Sequence, residues 1–199
     1  MLQAGMKPEA IQIIKDEHLA IAAVLFCLRY LILGIREEGK APDFVLLRAI
    51  LDYIVSYPDR WHHPKEDQFL FAAVRLRTRE ADQIIARLEK EHQAGYPLVD
   101  TMKRELIAYQ SGQPDAQEAF MASAGRYLEL EWAHMRTEED VLIPIAERVL
   151  TEEDWAGINA AFRENDNPLF GIKPKEEAER LYQRILSLAP APIGYAPAR

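Results

Sequence analysis

The sequence predicts an all-α protein, an antiparallel up-down-up-down four-helix bundle with a C-terminal helical extension. Three observations carry this expectation. Apolar residues fill 49% of 199 positions, enough for a sizeable core. Glycine is scarce, nine in the whole chain, and strand-like alternation is nearly absent. The apolar residues instead recur every three and four positions in four long segments punctuated by Gly and Pro.

The first helix is expected from about Pro8 to Glu38. Its seam is Ile11, Ile14, Ile21, Leu25, Leu28, Ile32 and Ile35, with His18 in line among them. Gly39 stops it, and Pro42-Asp43 starts the second, which runs to about Arg77 with local breaks at Pro58 and Pro64. Thr78 is placed as the N-cap of the third, which reaches about Gln110 and bends at Pro97. The fourth spans about Pro114 to Leu150, bent near Pro144. Its seam reads Phe120, Ala124, Tyr127, Glu131, His134, Glu138, Val141 and Ile145. Residues 8–150 thus form the bundle domain. Residues 151–199 form the extension: a short helix capped by Thr151 and ending near Glu164, a loop over Asn165–Gly171, an amphipathic helix over Lys175–Leu188, and a Pro/Ala-rich tail read as disordered. The extension is expected to cover one end of the bundle or to form a homodimer contact.

Bulk properties exclude several classes of function. A net charge of −8 with no Lys/Arg cluster argues against nucleic acid and anionic membrane surfaces as partners. The single cysteine, Cys27, rules out a disulfide scaffold and reads as core. The segment from Met1 to Pro8 lacks a signal-peptide layout, and Leu19–Ile35, broken by Arg29, reads as a core helix rather than a span. The cytoplasm is the expected location.

The chemistry lies in the histidines. Four of the five fall on four different helices: His18, His62, His92 and His134. Counted from the turns that join the helices, neighbouring pairs lie at matching heights to within about 3 Å at 1.5 Å per residue. All four imidazoles are therefore expected in one layer. Glu66 and Glu138 stand four residues after His62 and His134, on the same helix faces. Each feature alone has an ordinary reading, a core histidine or a surface pair. As a set they point to metal, because imidazole and carboxylate in an inward stripe are costly unless a cation offsets them.

These residues resemble the hemerythrin-like (HHE cation-binding) domain: His18, the run His62-His63-Pro64-Lys65-Glu66, His92 in Glu91-His92, and His134-Met-Arg-Thr-Glu138. The resemblance implies two iron ions, oxo- or hydroxo-bridged, with His18 and His62 on one, His92 and His134 on the other, and Glu66 and Glu138 between them. It also implies an open coordination position for dioxygen, nitric oxide or peroxide.

Two departures qualify it. The oxygen carriers of that family have a fifth histidine one turn along the third helix. Here that position is Tyr96, leaving Tyr96, Glu89 or water to fill the place. His63 points about 100° from His62 on a regular helix and is expected outside the ligand set, with distortion at Pro64 as the one escape. Secondly, Glu89-x-x-His92 and Glu131-x-x-His134 match the motif of ferritin-like di-iron carboxylate proteins. Histidine on every helix favours the hemerythrin reading, with Glu89 and Glu131 as partners of the ring N–H groups. A small-ligand binding module is the leading function. The alternatives are an enzyme acting on peroxide or nitric oxide or repairing iron–sulfur clusters, and a metal that only staples the bundle.

Overall fold

The predicted seam of the first helix turns inward along its whole length. In the computed structural model, which describes residues 8–163, 174–191 and 194, α1 spans Glu9–Glu38 and buries each of those residues, His18 included. Gly39 ends it in the left-handed conformation (φ 64°), where Lys40 N–H reaches back to the Gly34 carbonyl at 3.1 Å. By length and composition α1 could cross a bilayer, but 50% of its most apolar window is buried inside the protein.

The second segment begins at α2 (Phe44–Ile54), where the Asp43 carboxylate accepts from Val45 and Leu46 N–H at 3.1 and 3.0 Å. The prolines beyond do not break the helix; they widen it. A π-helical stretch over Val55–His62 holds Pro58, a short α3 (His63–Lys65) holds Pro64, and a second π-helical stretch covers Glu66–Phe71 before α4 (Ala72–Arg77). Proline has no N–H to donate to the carbonyl four residues back, and within the widened stretch the His63 N–H bonds five back, to the Pro58 carbonyl.

Thr78 is not an N-cap. It is extended, its hydroxyl accepts from Glu80 N–H, and α5 starts later, spanning Asp82–Gln110. Pro97 lies inside α5 without ending it. After a turn in which Asp115 takes φ 60°, α6 (Ala116–Thr137) leads through a third π-helical turn (Glu138–Leu142) into α7 (Ile143–Val149). That turn inserts a residue, so the buried seam moves from Glu138 to Leu142. Val141, expected inside, is 39% exposed.

Two further helices complete the described residues, α8 (Glu152–Arg163) against α1 and α9 (Pro174–Leu188) against α2. All regular structure among the described residues is helical. Residues 1–7, the expected loop over 165–171 and most of the tail lie outside the described residues.

The core has two parts. One gathers Ile21 to Ile35 of α1 with α2, the later half of α5, the early half of α6, and Ile185 of α9. The other gathers Ala10, Ile11 and Ile14 with Leu70–Val74, Ala81–Leu88, Leu142–Leu150, and Trp155, Ile158 and Phe162 from the residues of α8. Between them lies a polar layer.

Candidate metal centre

The layer is built from residues at the middle of each long helical segment. His18, His62, Glu66, His92, His134 and Glu138 are all at most 8% exposed. The imidazoles meet in pairs, His18 Nε2 with His62 Nε2 at 3.1 Å and His92 Nε2 with His134 Nε2 at 2.9 Å. The carboxylates lie between the pairs. Glu66 turns Oε1 to His18 and His62 (3.8 and 3.4 Å) and Oε2 to His92 (3.8 Å). Glu138 turns Oε2 to His18 (3.3 Å) and Oε1 to His134 and His92 (3.2 and 3.9 Å). Each carboxylate offers one oxygen to each pair.

The outer nitrogens show why the rings face inward. His18 Nδ1 lies 2.8 Å from Glu139, His62 Nδ1 2.8 Å from Glu17, His92 Nδ1 2.9 Å from Asp67, and His134 Nδ1 3.0 Å from Glu91. An acceptor at Nδ1 assigns the proton there and leaves Nε2 as a lone pair. Every one of these carboxylates neighbours, in sequence, an inner residue of its own helix, yet serves the next segment. The first segment's Glu17 holds the second's His62, and Asp67 of the second holds the third's His92. Glu91 of the third holds the fourth's His134, and Glu139 of the fourth returns to His18. The contacts close into a ring.

This arrangement leaves lone pairs opposed at about 3 Å and four buried carboxylate oxygens without a hydrogen-bond donor, both of Glu66 and both of Glu138. Such a site is costly until a cation enters it. In the metal-free chain protons fill part of that role. Burial alone would lower the pKa of His18, but Glu138 and Glu139 outweigh it and bring the value to about 9. His134 likewise rises well above the ordinary range, burial being overcome by Glu138 and Glu91. Burial would raise Glu138, yet His134 and His18 hold it well below the usual carboxylate range. Glu66 is driven well above that range by burial and then by the Glu138 charge.

Three clusters of these side chains converge closely enough to hold a cation: His18, His62, Glu66 and Glu138; Glu66, His92, His134 and Glu138; and His63, His92 and His134. Residues 9–146 match the family model of the hemerythrin HHE cation-binding domain. The chain belongs to that family. Comparison with curated proteins and with solved structures gave no match.

Within this HHE domain the structure revises several sequence expectations. His63 is not outside the layer. It is 4% exposed, stacked on His92 with centroids 4.2 Å apart, and edge-on to His134 at 5.4 Å. Burial, and then the neighbouring imidazoles, hold its pKa well below the ordinary value, so it stays neutral and fit to bind metal. The widened turns around Pro58 and Pro64 let adjacent histidines both face inward. Tyr96 does not fill the fifth position; it is 43% exposed and its hydroxyl accepts from Arg60 at 3.2 Å. Glu89 is held at the surface by both Arg75 nitrogens. Glu131 is buried beside Tyr127 and serves no ring N–H. The Glu-x-x-His reading therefore loses Glu89 from the centre. The partners that do hold the rings, Glu17, Asp67, Glu91 and Glu139, look in the sequence like ordinary helix-surface acids. Their adjacency to Glu66, Glu138, His18 and His92 was the available signal.

Proposed function

We propose that this domain binds two iron ions side by side among four helical segments running up-down-up-down as antiparallel neighbours. It takes up a small ligand (dioxygen, nitric oxide or peroxide) at an open coordination position. His18 and His62 would hold one ion and His92, His134 and His63 the other, with Glu66 and Glu138 placed to serve both. The observation that carries the reading is the split of each bridging carboxylate, one oxygen toward each histidine pair.

The donor set suits iron, since imidazole and carboxylate with a free position are the mixture that non-haem iron favours. Such a pair, when bound, supplies a reducible centre able to bind small oxidants. The chain's own residues do the rest. Glu17, Asp67, Glu91 and Glu139 fix the tautomers and aim the rings. The two apolar cores keep water away on both sides of the layer. The His18–His62 side has one imidazole fewer, which favours it as the side with the free position. A groove of about 340 Å³ lined by Leu19, Ala22, Trp132, Met135, Arg136 and Glu139 reaches the outer edge of His18 and brings solvent closest to this side of the ring.

Anaerobic iron loading of the full chain tests the reading, with metal counted per chain and spectra taken before and after oxygen and azide. Two irons, with near-ultraviolet bands of a bridged ferric pair and an azide charge-transfer band, are expected. One metal or none, without those bands, would remove the proposal.

A further inference from the structure

We propose that Asp59 is the positioning residue that makes His63 a metal ligand, the carboxylate that aims the fifth imidazole at the ion shared with His92 and His134. This rests on the two-iron reading above.

Four imidazoles of the layer share one construction, Nδ1 on a carboxylate at 2.8–3.0 Å with Nε2 inward. His63 is the fifth, and it stands outside the ring of contacts that joins the segments. Its Nδ1 faces Asp59 Oδ1, one turn earlier on the same helical segment, at 3.8 Å. With Nδ1 on that side, Nε2 is the nitrogen left for a metal.

The surroundings favour closure of this contact. His63 Nδ1 and both Asp59 oxygens are buried and have no hydrogen-bond partner. All three lack partners while Nδ1 and Oδ1 stand opposite each other, which costs free energy that a single hydrogen bond would partly recover. Closure to ordinary hydrogen-bond length needs a movement of only about 1 Å. The cations nearest in charge to Asp59 are engaged elsewhere, Arg60 Nε with the Tyr96 hydroxyl and Lys103 with Asp52 at 2.8 Å. On its far side Asp59 meets Glu131 and Tyr127, and neither is a cation that could neutralise it. The Tyr127 hydroxyl is shared with Glu131, and His63 Nδ1–H, 3.8 Å from Oδ1, is the ring donor placed to serve Asp59. A metal on Nε2 fixes the proton at Nδ1 and thereby supplies that donor, so binding of metal and formation of the Asp59–His63 hydrogen bond support each other.

A double-mutant cycle on the iron-loaded full chain tests this, with D59A, H63A and D59A/H63A compared with the parent. The readouts are iron per chain, the rate at which a ferrous chelator strips the first iron, and the near-ultraviolet and azide bands. Expected is that D59A speeds loss of one of the two irons about 10–100-fold, the usual scale for a ligand's supporting carboxylate. It should shift the bands as H63A does, and the double variant should be no worse than H63A alone. D59N, whose amide oxygen can still accept from Nδ1–H, should recover part of the affinity and spectrum. If D59A does not fold, the same cycle with D59N and H63Q decides the matter. Unchanged stripping and bands in the Asp59 variant, or effects of Asp59 and His63 that simply add, would overturn the proposal. A parent protein that fails to take two irons would instead sink the underlying reading.

Discussion

At the scale of single residues, the centre trades protons for cations. The pKa of His18 is brought to about 9 by Glu138 and Glu139 against the opposing effect of burial. Its folded value lies above the unfolded one, so in the metal-free protein its charge adds stability below the ordinary histidine range. That contribution is lost as pH rises through about 9. A metal must displace the same proton. Apparent iron affinity, followed by chelator competition under anaerobic conditions, is therefore expected to climb steadily from neutral pH to about 9. An affinity flat across that range would contradict the assignment. Asp59 shifts stability in the same direction with pH, although for Asp59 it is the charged form that is disfavoured. Burial first, and Glu131 next, push its pKa up to about 7, so ionisation above that pH weighs against the metal-free fold. Asp59→Asn should raise the melting temperature of the metal-free protein by a few degrees at pH 8, with the gain fading near pH 5. Equal gains at both values would show that charge is not the cause.

At the scale of elements, the π-helical turns decide which side chains share the layer. Val55–His62, Glu66–Phe71 and Glu138–Leu142 include His62, Glu66 and Glu138 and flank His63, and Pro58, Pro64 and Pro144 lie in or beside them. Pro64→Ala restores an N–H to the helix and removes the ring that crowds the preceding carbonyl. The expected result is a more stable metal-free protein, by a few degrees of melting temperature, that holds iron about tenfold less tightly because His63 turns away. Calorimetry and chelator competition on one preparation would check both halves. A variant with unchanged iron affinity would mean that the widened turns do not set the ligand geometry. The first seam was fully legible in sequence because α1 keeps regular helical spacing. The last seam departs from its spacing only at Val141, where the π-helical turn over Glu138–Leu142 buries Leu142 instead while Ile145 stays inside, and no periodicity announces such a turn.

At the scale of the molecule, the polar layer is a seam between two apolar cores. Both cores pull the helices together, while the opposed lone pairs and carboxylates between them push apart. Metal converts that repulsion into attraction. A ligand at a thousand times its dissociation constant stabilises by about 4 kcal/mol, and in a chain of this size each kcal/mol is about 2–4 °C. Removing the bound metal with a chelator should thus lower the melting temperature by about 10 °C or more. A shift of a degree or two would mean that the layer is not occupied in the folded protein. The closed ring of Glu17, Asp67, Glu91 and Glu139 contacts also joins each segment to the next. It couples the height of every helix to the layer.

The sequence by itself determined the helices, the layer and its six principal residues, because those depend on periodicity and on distance counted along regular helices. It also marked His63 as the one ambiguous histidine. Tertiary structure alone decided three things: that His63 turns inward, that Tyr96 and Glu89 stay at the surface, and that Glu17, Asp67, Glu91 and Glu139 each serve another segment's imidazole. The physical reason is common to all three. A widened turn changes direction by a fraction of a residue step, and a contact between helices depends on their rotation about their own axes. Spacing along the chain encodes neither.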